Sequence, residues 1–88
     1  MKVEFLKSFS KDLDSINQKA VKANLVRIIE SLEKSSSLDD ILGIKKLKGA
    51  KNAYRIRLGD FRLAFFSDKS TVELARFLHR KDIYKFFP

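Results

Sequence analysis

Cysteine is absent from the 88-residue chain, and histidine occurs once, at His79. The first absence excludes a disulfide scaffold, a thiolate metal site and a cysteine nucleophile. The second leaves no histidine-rich metal centre. Glycine is scarce, with three residues, and proline scarcer, with Pro88 alone, so the composition is neither collagenous nor low-complexity. No uncharged apolar run approaches the ~18 to 20 residues of a membrane-spanning helix, and the opening MKVEFLKSFSKDLD has no apolar stretch of the kind a signal peptide needs. These absences lead us to expect one soluble, cytoplasmic domain over residues 1–88, with no metal, no cofactor and no membrane partner.

Charge is abundant and unevenly placed. The formal charge is +8, yet residues 1–44 carry seven bases and seven acids, while residues 45–88 carry twelve bases and four acids. Lys45, Lys46, Lys48, Lys51, Arg55, Arg57 and Arg62 fall in eighteen residues with Asp60 as the one acid, and Arg76, Arg80, Lys81 and Lys85 follow. A basic run can simply keep a small protein wet. Five of the six arginines lie in this half, however. Guanidinium suits bidentate phosphate contact, whereas lysine serves solubility equally well, so nucleic acid or ribosomal RNA is the expected partner.

Apolar periodicity divides the chain in two. Lys2 to Leu6 alternates like a short strand. Phe9, Leu13 and Ile16 then recur at helical spacing, with Ser8 or Ser10 as the expected N-cap. Val21, Leu25, Ile28, Ile29 and Leu32 mark a second helix over 20–34, and Leu38 to Leu42 reads as one further turn. After Gly43 the period becomes two. Ile44 to Lys48 reads as an edge strand, Ala53 to Leu58 and Phe61 to Phe66 as a hairpin about Gly59-Asp60, and Thr71 to Leu78 as a last strand. The expected fold is α+β, with a helical hairpin packed on one face of a mainly antiparallel sheet. If Tyr54, Ile56, Leu58, Phe61, Leu63 and Phe65 meet the helices, then Arg55, Arg57 and Arg62 share the opposite, uncovered face.

Three motifs, Leu47-Lys48-Gly49, Tyr54-Arg55-Ile56-Arg57-Leu58-Gly59-Asp60-Phe61-Arg62 and His79-Arg80-Lys81-Asp82-Ile83-Tyr84-Lys85, follow the helical hairpin in this order. Together they resemble the RelE/ParE superfamily of type II toxin-antitoxin toxins over essentially the whole chain. The resemblance implies a microbial-RNase-like fold with an N-terminal strand and a short C-terminal helix. It also implies one of two activities, since RelE-like members cut messenger RNA in the ribosomal A site and ParE-like members poison DNA gyrase. A non-toxic relative that only binds its antitoxin is a third reading. The RelE-like reading makes this chain a ribosome-dependent, metal-independent endoribonuclease. Arg62 and Arg80 would then hold the phosphate, and Tyr84 would stack on a base or act near the 2′-OH.

Arg55 and Arg57 stand where the best-known RelE sequence has lysines. Arginine stays protonated, so they bind rather than abstract a proton, together with Lys45, Lys46, Lys48, Lys51, Lys81 and Lys85. His79 is then the acid or base candidate, or else a hydrogen-bonding residue at a strand end. Tyr84, flanked by Phe77, Leu78, Ile83, Phe86 and Phe87, is a site residue or part of an aromatic core. The implied partners are a cognate antitoxin, the ribosome and its messenger, and operator DNA through the antitoxin complex.

Overall fold

The computed structural model describes residues 1–88. In chain order it contains β1 (Lys2–Phe5), α1 (Lys7–Asp14), α2 (Lys19–Lys34), a 3₁₀ turn (Leu38–Asp40), β2 (Ile44–Lys46), β3 (Ala53–Leu58), β4 (Phe61–Ser67), β5 (Thr71–His79) and α3 (Ile83–Phe86). The sheet order is β1-β5-β4-β3-β2. β2 to β5 form an antiparallel meander, and β1 joins β5 in parallel. No helix is long and apolar enough to cross a membrane.

α1 and α2 cover one face of the sheet. Phe9, Leu25 and Leu32 from the helices meet Ile56, Leu63, Phe65 and Phe77 from the strands in the main core, with Tyr54, Leu58 and Phe61 at its margin. Tyr54 stacks on Phe65, ring centroids 5.5 Å apart. The apolar phase of the hairpin therefore faces the helices, as its alternation requires.

α1 starts earlier than its capping serines suggest. Leu6 precedes its first residue and supplies no side-chain cap, and both Ser8 and Ser10 lie inside the helix. The serine cap is outweighed by the need to close the edge of β5 beyond the end of β1. There the Ser8 hydroxyl donates to the Ala75 carbonyl, and the Asp12 carboxylate accepts the Phe77 N–H at 2.9 Å. Asp12 also clamps Arg76 bidentately, Oδ2 to Nε at 2.8 Å and Oδ1 to Nη2 at 3.0 Å. That hydrogen-bonded pairing raises the Arg76 pKa and removes Arg76 from the free basic surface.

The second face of the sheet is half covered, not open throughout. Ala53, Ala64 and Ala75 supply small side chains from three strands, and Ile83 and Phe87 pack with them and Leu47 in a second, smaller core. The C-terminal segment thus closes one end of the face that alternation alone leaves bare. The hairpin end, toward Gly59 and Asp60, stays exposed.

Candidate nucleic-acid interface

The register places basic residues opposite one another across the strands. Arg57 pairs with Arg62 between β3 and β4, and Lys45 with Arg55 between β2 and β3. Like charges directly opposed destabilise a sheet. Arg55, Arg57 and Arg62 share the face away from the helices, as their phase against Tyr54, Ile56 and Leu58 predicts.

The guanidiniums are held by carbonyl oxygens. Arg62 Nη1 donates to Gly59 O at 2.7 Å and to Phe61 O at 2.9 Å, while Arg55 Nη1 donates to Gly43 O at 2.9 Å. Gly59, with φ +58°, provides the left-handed turn that brings this carbonyl beside Arg62. Of the six arginines, only Arg76 and Arg80 have a carboxylate partner, the latter at a loose 3.9 Å from Asp60. Arg27, Arg55, Arg57 and Arg62 have none. Partial burial, then the neighbouring Arg55 and Arg57, lower the Arg62 pKa from its ordinary value; Tyr84 acts in the opposite sense and Arg80 adds to the lowering. Arg62 therefore has three other arginines, Arg55, Arg57 and Arg80, as charged neighbours.

Tyr84 belongs to the surface. It is 60% exposed on α3, and with Lys45, Lys46, Leu47, Lys48 and Pro88 it lines a concavity of about 380 Å³. An exposed ring beside three lysines can stack on a base while the ammonium groups meet its phosphates. Phe86, also exposed, packs under the Arg76 guanidinium at 5.3 Å. Lys51, Lys81 and Lys85 are exposed on the turn before β3, the turn after β5 and α3 respectively, with Lys85 Nζ 3.8 Å from Asp82.

His79 is not brought into this cluster. It is paired with Phe61, which faces the helices, and its ring meets the Phe61 ring edge-on at 5.8 Å. Its Nδ1 accepts the Lys81 N–H at 3.2 Å. The cause is a bulge in β5. Phe65 pairs with Leu74 but Ala64 with Arg76, so Ala75 is an extra residue and the alternation beyond it is inverted. The sequence does carry the signal: Val72 and Leu74 are two apart, but the next large buried residue, Phe77, comes three later. Four of the residues expected at the site, Arg55, Arg57, Arg62 and Lys45, share the second face of the sheet, and Arg80 and Tyr84 flank it.

Comparison with known proteins agrees with the fold. Residues 3–84 match the family described as ParE toxin of type II toxin-antitoxin system, parDE. The chain is 44% identical to Toxin RelE3 of Methanocaldococcus jannaschii over the whole length of both. Among solved structures, a RelB-RelE antitoxin-toxin complex from Methanococcus jannaschii superimposes with a TM-score of 0.82 at 40% identity, covering 97% of this chain and 99% of the other. An archaeal RelE-RelB complex from Pyrococcus horikoshii shares the fold, with a TM-score of 0.74 at 23% identity and coverage of 93% and 97%.

Proposed function

Since the chain belongs to the RelE/ParE superfamily of toxins from type II toxin-antitoxin systems, we propose that its arginine face binds messenger RNA on the ribosome and cleaves it by transesterification through the ribose 2′-OH. One observation supports this most: three guanidiniums without carboxylate partners are gathered on one face around Arg62, at a cost in cross-strand repulsion that a merely solvated surface would not need.

In the reaction the 2′-oxygen attacks phosphorus and loses its proton, a bond forms between them, the bond from phosphorus to the 5′-oxygen breaks, and that oxygen gains a proton. The products are a 2′,3′-cyclic phosphate and a 5′-hydroxyl. Arg62 faces the extra negative charge of the phosphorane, and being preorganised by backbone carbonyls it needs little rearrangement as that charge develops. Arg55 and Arg80 hold the flanking phosphates. Tyr84 is the one phenol beside the cluster, placed to stack on the adjacent base or to exchange a proton with the 2′-OH. His79, on the other face, takes no part.

The antitoxin is the second partner. The groove between α1 and α2, about 520 Å³, has an apolar floor that includes Phe5, Phe9 and Leu25 and an edge bearing Asp14, Glu30 and Glu33 against Lys22. An amphipathic segment of the antitoxin fits there. The match to the ParE description favours a second reading, inhibition of DNA gyrase without cleavage. Expression followed by mapping of nucleic-acid ends separates the two. Messenger ends at ribosomal A sites, bearing cyclic phosphates, support the nuclease; gyrase-linked DNA breaks with intact messenger would replace it with the gyrase reading.

A further inference from the structure

Arg27 is the one arginine of the electrically neutral half of the chain, on the exposed surface of α2. The fold brings it to the edge of the arginine face. Arg27 and Arg57 line one groove of about 270 Å³ with Asn24, Ile28 and Leu58, where the end of β3 runs past β2. No carboxylate lines this groove. Neither guanidinium has an ion-pair partner, and Arg27 Nη1 is turned toward the Asn24 amide oxygen at 3.3 Å. Charge is segregated around α2, for its acids Glu30 and Glu33 line the opposite groove with Asp14. Two arginines that line one concavity without a counter-charge bring to it donors matched to a phosphodiester.

We propose that Arg27 and Arg57 together form an RNA-phosphate site that carries the arginine face around the edge of the sheet onto α2. The proposal rests on the RNA-binding reading above and extends it to a residue from the half of the chain that carries no net charge. The phosphate belongs either to the messenger strand continuing away from Arg62 or to ribosomal RNA bordering it, and the chemistry of recognition is the same for both.

The test uses the full-length protein and two probes, a labelled 12-nucleotide single-stranded RNA and ribosomes lacking messenger. Lys22→Ala, which removes an equal charge from the acidic side of the same helix, is the control. Arg27→Ala should weaken binding about 5- to 30-fold at low salt and lower the slope of log affinity against log salt by about 0.7 to 0.9. Loss with the short RNA assigns the phosphate to the messenger, and loss with ribosomes alone assigns it to ribosomal RNA. Arg27→Ala and Arg57→Ala should combine less than additively, because both contact one phosphate. Arg27→Ala binding like Lys22→Ala to both probes, while the wild type binds them, would overturn the phosphate site alone. A wild-type chain with no affinity for either probe would overturn the RNA-binding reading with it. Arg27 is exposed, so a circular dichroism spectrum unchanged from wild type verifies that the comparison is between folded proteins.

Discussion

Arg62 has Arg55, Arg57 and Arg80 as neighbours of its own sign, and with partial burial they lower its pKa. Arg62 brings a fixed charge and Tyr84 a ring with a hydroxyl, so the two residues have separable roles. Tyr84→Phe keeps the stacking face and loses the hydroxyl, so a single-turnover cleavage rate close to wild type identifies stacking. A fall of about 100-fold or more identifies proton transfer, the usual scale for removing an acid-base group. His79→Gln should leave both the cleavage rate and its pH dependence unchanged, because the imidazole lies against Phe61 on the other side of the sheet. A pH profile that loses a limb in this variant would return His79 to the reaction.

At the scale of elements, the hairpin β3–β4 carries the conflict between stability and binding. Arg57 stands directly opposite Arg62, and Arg57→Thr replaces a like-charged cross-strand pair with a residue suited to a strand. The variant should be more stable to urea by about 0.2 to 1 kcal/mol while binding RNA more weakly. Greater stability without loss of binding would mean that the pairing has no functional purpose. The hairpin was readable because its signals agree: apolar residues at every second position, arginines between them, and glycine where the turn needs positive φ. Three other features escaped such reading. The start of α1 is set by unpaired groups on β5, some 65 residues away, not by its serines. The partial cover over the arginine face depends on Ala53, Ala64 and Ala75, whose small side chains fit either phase of a strand. The side occupied by His79 depends on the one-residue bulge at Ala75, which strict alternation passes over.

For the whole molecule, the net charge of +8 understates the organisation of the charge. Asp12 neutralises Arg76 at the edge of the sheet, acids gather along the α1–α2 groove, and the unpaired arginines are left on and beside one face. A molecule so divided can meet a polyanion with one surface and an amphipathic protein segment with another. Four phosphates, held by Arg62, Arg55, Arg80 and the Arg27–Arg57 pair, predict that log affinity for single-stranded RNA falls with log salt at a slope of roughly −3. A flat salt dependence would point to a protein target. The most direct test of the central claim is the single-turnover cleavage rate of a ribosome-bound messenger by wild type and Arg62→Ala. The account predicts that wild type cuts and that the variant, folded and still binding ribosomes, is slower by about 100- to 1,000-fold. Cleavage by folded Arg62→Ala at the wild-type rate would contradict it.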